Sequence, residues 1–161
     1  MPTKKTTTKK VTTKPKTTSK PKSKPSFDLS GGTLWPNISL KEASCPCCGT
    51  MASAALLDKV QKFREACGFA IPFTSIYRCY EYNKKIKGSK LSLHLLSASS
   101  DGYGAVDCGI NKSRSNNRWD MLKAAIQLGM NNFEVCDGHL HIGWAPHGHA
   151  MEHRLYWGIS K

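Results

Sequence analysis

The stretch TSIYRCYEYNKKIKGSKLSLHLLSASSDGYGAVD, from Thr74 to Asp107, carries an arginine, a histidine and an aspartate in an order that suits a metal site. A second stretch, DGHLHIGW, adds two histidines that are two residues apart, His139 and His141. Because side chains alternate between the faces of a strand, both histidines point to one side if this segment is extended. Catalytic zinc takes imidazole and carboxylate ligands and keeps one position open. The residues therefore predict a hydrolytic zinc site built from His94, Asp107 and His141.

Together these motifs resemble the zinc D-Ala-D-Ala carboxypeptidase family, which includes phage endolysins and vancomycin-resistance D,D-dipeptidases. The family pattern reads roughly Ser-Gly-Tyr-Arg, then Asn, Gly, Ser-x-His, Gly-x-Ala-x-Asp and a late His. The resemblance implies a Hedgehog/DD-peptidase fold, a zinc cofactor and a peptidoglycan peptide substrate. It covers roughly Ile38 to Trp144, and the matching residues are Ser75, Tyr77, Arg78, Asn83, Gly88, Ser92, His94, Ala105, Asp107 and His141.

The spacing of the first two ligands departs from the family pattern. Twelve residues separate His94 from Asp107, and Asp101 stands at the usual distance, which makes it a rival ligand. Ala105-Val106-Asp107 nevertheless reproduces the motif, and it leads into an apolar run that is typical of a buried strand. We therefore favour Asp107 and expect the intervening residues LSASSDGYG to form a loop.

The resemblance implies further roles around the metal. Arg78 would clamp a substrate carboxylate or the tetrahedral oxyanion, a task that suits a fixed guanidinium fork. Many members place a general base three residues before the last ligand, where this chain has Gly138. The identity of the general base is therefore left open, and the candidates are Asp137, Glu134 and His139. His139 could also stabilise the transition state or shuttle a proton.

Residue periodicity predicts the elements around these motifs. Ser53 is expected to cap a helix that runs through Cys67 and ends at Gly68. A second helix should run from about Asn116 to Gly129, and a short helical segment should end near Ile86. Strands are expected over residues 71–77, 133–136 and 139–144, with a hairpin turn joining the last two. The fold class is therefore α+β, with helices packed on one face of a small, mostly antiparallel sheet. The second helix should bury Trp119, Leu122 and Ile126.

The first 25 residues differ in composition from the rest of the chain. Met1 to Pro25 contains nine lysines and no acidic residue, and it supplies +9 of the formal net charge of +13. Such a segment cannot bury enough apolar surface to offset its ordering entropy, so it is predicted to be disordered. It could serve only to keep the protein soluble, or it could bind polyanions such as wall polymers, lipopolysaccharide or nucleic acid.

The remaining residues are enough for a single domain with a substantial core. We expect an irregular lead-in over residues 26–44, one peptidase domain over residues 45–161, and a monomer. The chain shows neither the apolar region of a secretory signal nor an apolar run of about 20 residues that could span a membrane. We therefore expect synthesis without a signal peptide in the host cytoplasm, and action at the cell wall or periplasm or carriage in a virion.

The seven cysteines fall into two groups. The cysteines of the segment SCPCCG could bind a zinc ion or mark a turn. A structural zinc ion needs four ligands in paired spacing, however, and no second pair of cysteines follows. The others stand in apolar contexts, where free cysteine behaves as a small hydrophobe. The sequence leaves open whether a disulfide bond joins a cysteine of one group to a cysteine of the other. The first group is Cys45, Cys47 and Cys48, and the second is Cys67, Cys79, Cys108 and Cys136.

The sequence thus predicts a zinc metallopeptidase of the D-Ala-D-Ala carboxypeptidase or endopeptidase type. It would hydrolyse an amide bond in peptidoglycan stem peptides or cross-links, for phage-encoded lysis or remodelling of a wall. A non-catalytic wall-binding module of the same fold is one alternative, which Gly138 at the usual base position favours. A basic protein associated with a virion or with nucleic acid is another, which the lysine-rich segment favours.

Overall fold

The computed structural model describes residues 35–110 and 115–158. The predictions made for Met1 to Pro25, including its disorder and its polyanion binding, lie outside the described residues. The elements in the described ranges are α1 (Leu40–Ala43), α2 (Ala54–Cys67), β1 (Phe73–Ser75), α3 (Tyr80–Lys85), a 3-10 turn (Leu93–Leu95), β2 (Gly104–Gly109), α4 (Ser115–Gln127), β3 (Asn132–Val135), β4 (His139–Trp144) and β5 (Arg154–Trp157).

The five strands of the described ranges form one sheet in the order β1-β2-β4-β3-β5. All neighbouring strands are antiparallel except β3 and β5, which are parallel. The predicted α+β class with a mostly antiparallel sheet is therefore confirmed. Strand β5 was not predicted, because its four residues are all exposed and show no alternation of apolar and polar residues. The first strand is shorter than the predicted range of residues 71–77, since the pairing of β1 with β2 shifts register between Phe73 and Ser75.

The central strands β2 and β4 separate apolar from polar side chains. Val106 and Leu140 are fully buried, and they belong to the core cluster that includes residues of α2 and α4. Asp107 lies directly opposite His141 in the pairing of the two strands. Because side chains alternate along a strand, both of these polar residues lie on the sheet face opposite the main core. The alternation therefore creates a polar site on a rigid support.

Helix α2 forms as predicted. The Ser53 hydroxyl accepts a hydrogen bond from the backbone N–H of Leu56, and Gly68 ends the helix with a left-handed φ of 70°. Such a φ is readily adopted by glycine, so the helix stops at this position. Burial of each large apolar side chain contributes roughly 1.5–3 kcal/mol to stability, which makes this face a main anchor of the sheet. The buried apolar residues are Leu56, Leu57, Val60 and Phe63.

The buried face of α4 differs from the prediction. Trp119 and Ile126 are 65% and 62% exposed, and Leu122 is only half-buried, whereas Met121, Ala124 and Ala125 are buried. Both sets have helical spacing, so periodicity alone could not choose between them. The prediction was wrong for Trp119 and Ile126, because it ranked large apolar residues above alanine, whereas Leu122 does pack against the core. The small side chains let α4 pack closely against its neighbours.

The lead-in drawn over residues 26–44 is ordered where the structure describes it. Trp35, Ile38 and Ala43 belong to the main core cluster, and the Trp35 indole Nε1 donates a 2.7 Å hydrogen bond to Asp58 Oδ1. Ser39 caps α1 through a capping box with the side chain at its third position. These widely spaced apolar residues give no periodic signal, which explains why the segment was expected to be irregular. None of the helices in the described ranges is long and apolar enough to cross a membrane.

Candidate metal centre

Three side chains that are far apart in the chain converge above the sheet. His94 Nε2 lies 3.1 Å from Asp107 Oδ1 and 3.2 Å from His141 Nδ1, and the last two atoms are 2.7 Å apart. The 3-10 turn, β2 and β4 each supply one of them. The three predicted ligands are therefore brought together. The rival Asp101 lies in an exposed turn, where its carboxylate accepts a 3.2 Å hydrogen bond from Ser99.

A close contact between the 3-10 turn and the sheet positions His94. Leu93 packs with Ala105 and Ala145 in a small apolar cluster on this face of the sheet. Beneath it, a Cβ at Gly143 would lie only 2.8 Å from Leu93 Cδ1 and 3.0 Å from the carbonyl oxygen of Gly104. Glycine at this position therefore lets the turn approach the sheet closely enough for His94 to meet the other two side chains.

The second nitrogen of each imidazole ring is held by an acceptor. His94 Nδ1 lies 2.8 Å from the carbonyl oxygen of Ile76, which can only accept, so Nδ1 carries the proton. His141 Nε2 lies 3.1 Å from Asn132 Oδ1, and Asn132 Nδ2 donates to the carbonyl oxygen of Met151. That second bond fixes the orientation of the amide, so His141 Nε2 is also the protonated nitrogen. His94 Nε2 and His141 Nδ1 are therefore the nitrogens that face the common centre.

The charges at the centre favour a cation. Burial lowers the pKa of His94, which keeps its imidazole neutral. Burial alone would raise the pKa of Asp107, but the interactions with His94 and His141 lower it well below its usual range. Two imidazole nitrogens and one carboxylate oxygen thus point at one place. Zinc bonds of about 2.0–2.1 Å in tetrahedral geometry imply ligand atoms about 3.3 Å apart. The separations of 3.1 and 3.2 Å from His94 Nε2 are close to this value, whereas the 2.7 Å between Asp107 Oδ1 and His141 Nδ1 would have to widen.

Arg78 fixes the orientation of the central carboxylate. Its Nη2 donates a 2.7 Å hydrogen bond to Asp107 Oδ2, and its Nε donates a 3.0 Å bond to Ser75 Oγ. The guanidinium group therefore engages one oxygen of Asp107 and leaves Oδ1 directed at the two histidines. The role of Arg78 as a clamp for substrate or oxyanion stays a prediction.

The three candidates for the general base occupy different positions. Glu134 pairs directly with His141 across β3 and β4, where Cβ atoms of facing residues lie about 4.5–5.5 Å apart. His139 lies on the same face of β4 as His141, roughly 7 Å further along the strand. Asp137 is exposed in the β3–β4 turn, four residues before His141, which is roughly 13 Å of extended chain. Its backbone carbonyl accepts a bond from Arg118. Glu134 is therefore the carboxylate best placed to reach the centre.

Asn132 and the carbonyl of Ile76 were not among the predicted site residues, whereas Ser75 was matched as a motif residue without a role. Asn132 carries no motif signal of its own, and a backbone carbonyl is invisible to motif analysis. Asn132 stands two residues before Glu134 in β3, so the alternation of that strand puts both on the face of His141. This signal becomes readable only when the register between β3 and β4 is known.

A model of the peptidase M15 family matches residues 37–143, which include His94, Asp107, His141 and Arg78. No curated protein and no solved structure matches the chain. The family consists of zinc-dependent metallopeptidases that act on peptidoglycan, and the resemblance found in the sequence is confirmed. Because the match covers more than half of the sequence and contains the whole candidate centre, the chain belongs to the peptidase M15 family.

Proposed function

We propose that this protein is a zinc peptidase that hydrolyses an amide bond in peptidoglycan stem peptides or cross-links. One observation carries the proposal: His94 Nε2, Asp107 Oδ1 and His141 Nδ1 lie within 3.2 Å of one another, while separate partners hold the outer atoms of all three side chains. Outer partners of this kind orient metal ligands in zinc enzymes.

The residues of the site would have different roles in hydrolysis. His94, Asp107 and His141 would hold the zinc ion, and Arg78 would keep Asp107 in its binding orientation. When bound, zinc lowers the pKa of a coordinated water to about 7 and polarises the scissile carbonyl. The Glu134 carboxylate would accept the proton of the attacking water and deliver it to the leaving amine. His139, on the same face, would support charge that develops in the transition state.

The same proposal covers the type of peptidase activity and its biological setting. We infer a D-Ala-D-Ala carboxypeptidase or endopeptidase type of activity at the cell wall, and use by a phage in lysis or remodelling. The family supports the peptide substrate. The sequence resemblance to phage endolysins supports the biological setting.

Mass spectrometry of muropeptides after digestion of purified wall would test the proposal. The wild-type protein should release new amino termini, and both a chelator and His141→Ala should abolish the release. His147→Ala is a matched control, because this histidine is fully exposed and lies outside the cluster. Unchanged release by His141→Ala would remove this residue from the mechanism and with it the proposed centre.

A non-catalytic wall-binding module is the second candidate. Gly138 at the usual position of the base favours it, and so does the contact of Glu134 Oε1 with the Cys136 thiol, at 3.5 Å, which engages the nearest carboxylate. This candidate predicts zinc-dependent binding to purified wall without release of peptides. A nucleic-acid-binding protein would instead retain DNA with a steep salt dependence that disappears when residues 1–25 are removed.

A further inference from the structure

A second cluster of metal-binding side chains lies outside the candidate metal centre. The Sγ atoms of Cys45, Cys48 and Cys79 all lie within 4.8 Å of one another. Cys45 is buried, Cys79 is partly exposed and Cys48 is exposed. We call this group the cysteine cluster. The sequence expectation had set Cys79 among the apolar cysteines, so the fold supplies the ligand that the local pattern lacked.

The segment that carries two of these thiols is a closed turn. The backbone N–H of Cys45 donates to the carbonyl of Thr50 at 2.8 Å, and the N–H of Gly49 donates to the carbonyl of Cys45 at 2.9 Å. Gly49 has a left-handed φ of 71°, and an isolated bridge pairs Ser44 with Met51 just outside the turn. Cys45 and Cys48 are thereby held in the C-x-x-C spacing that zinc sites use.

Backbone N–H groups point at the sulfur atoms. The N–H of Cys79 donates to Cys45 Sγ at 3.3 Å, and the N–H of Tyr82 donates to Cys79 Sγ at 3.4 Å. Donors of this kind stabilise a thiolate, which is the form that binds metal.

We propose that Cys45, Cys48 and Cys79 bind a structural zinc ion. Their three Sγ atoms supply three of the four ligands that such a site needs. Zinc–sulfur bonds of about 2.3 Å imply sulfur atoms about 3.8 Å apart, which the cluster can reach with small side-chain rotations. Thiolates are soft ligands that select zinc over magnesium or calcium. A disulfide would use only two of these three thiols.

The site would join two distant parts of the chain. The turn that precedes α2 would be tied to Cys79, which directly follows Arg78 and caps α3. The ion is therefore a structural element, separate from the ligands that would carry hydrolysis. Its presence does not depend on the proposed peptidase activity.

The zinc content of purified full-length protein, prepared with a reductant and measured by elemental analysis, gives the first test. The wild type should hold about two zinc ions per chain, and Cys79→Ser and His141→Ala should each hold about one. Cys67→Ser is the matched control, because this half-buried cysteine lies outside the cluster. It should keep the wild-type content.

Titration of the metal-free protein with Co²⁺ separates the two sites. Thiolate ligands give a charge-transfer band in the near ultraviolet that imidazole and carboxylate ligands do not give. His141→Ala should keep the full band, whereas Cys79→Ser should lose it. Failure of the candidate metal centre would thus leave this result untouched, and the two proposals fail separately.

Three outcomes would overturn the proposal. The first is a wild-type protein without the thiolate band, which decides the matter even if Cys79→Ser does not fold. The second is a single zinc ion that His141→Ala removes completely. The third is an alkylation rate for Cys45 and Cys48 that is the same with and without zinc, since bound thiolates should react more slowly.

Discussion

The candidate metal centre and the cysteine cluster position their ligands in opposite ways. In the metal centre, two ligands lie on neighbouring strands of the sheet, and Asn132, Arg78 and the carbonyl of Ile76 hold the outer atoms of the three side chains. In the cysteine cluster, two ligands come from one short turn, and the main restraints on the sulfur atoms are weak bonds from backbone N–H groups.

This difference distinguishes a catalytic metal site from a structural metal site. Ligands that are fixed by other contacts keep their geometry when the metal leaves, as catalysis with an open coordination position requires. Ligands on a short turn gain much of their order from the metal, so metal binding contributes to folding. We therefore expect the metal centre to be preorganised and the turn at residues 45–50 to depend on its ion.

The sharpest test of the metal centre as a catalytic site is Glu134→Gln. This change removes the proposed general base and keeps the size of the side chain, so kcat should fall by about 10²–10⁴-fold while zinc content stays the same. Asp137→Asn is the matched control and should leave kcat within about threefold of the wild type. Both are measured as initial rates of peptide release from purified wall. Equal losses in the two variants would contradict the placement of the base on β3.

Asn132→Ala tests whether the outer contacts hold the histidines. Loss of the acceptor for His141 Nε2 should weaken zinc binding at the metal centre by about 10–100-fold. Competition with a chromophoric chelator measures the affinity, and the thiolate band of the cysteine cluster should be unchanged. Asn132→Asp keeps an acceptor oxygen and should restore most of the affinity. If both variants lose affinity equally, the contact with Met151 matters more than the contact with His141.

Arg78→Lys tests the orientation of the central carboxylate. Lysine keeps the positive charge but cannot contact both Asp107 and Ser75 with a fixed fork, so zinc affinity should fall by about tenfold. Arg64→Lys is the control, because Arg64 pairs with Glu42 at 3.0 Å, outside the site. A raised KM with unchanged zinc affinity would instead assign Arg78 to the substrate.

Hydrogen exchange tests the comparison directly. Removal of zinc with a chelator should accelerate amide exchange in the turn at residues 45–50 by roughly threefold or more, because the turn loses its ion. Exchange in β2 should stay the same, since its hydrogen bonds to β4 do not involve a metal. Faster exchange in both segments would show that the sheet also depends on the ion.

The sequence was informative wherever a motif or a period marked a residue. The ordered Arg, His, Asp and His motifs identified the side chains that converge. Apolar spacing located α2, and the Asp137-Gly138 turn located the β3–β4 hairpin. Asp107 was preferred to Asp101 because an apolar strand pattern surrounds it. The structure supports this choice, since β2 carries Asp107 and an exposed turn carries Asp101.

The features that were missed depend on contacts between residues that are far apart in the sequence. The cysteine cluster joins residues 34 positions apart, so no local spacing rule could find it. The buried face of α4 depends on how closely helices approach, and alanine gives little signal for that in a sequence. The preference for Glu134 over Asp137 as the base required the strand register, which brings Glu134 opposite His141.

The loop between His94 and Asp107 is anchored at both of its ends through one serine. Ser97 accepts bonds from the N–H of Ser53 through its carbonyl, at 2.7 Å, and from the N–H of Ala105 through its hydroxyl, at 3.2 Å. The turn that carries the exposed Asp101 lies between these anchors, so we expect a peptide tag inserted after Ser99 to leave both ligands in place.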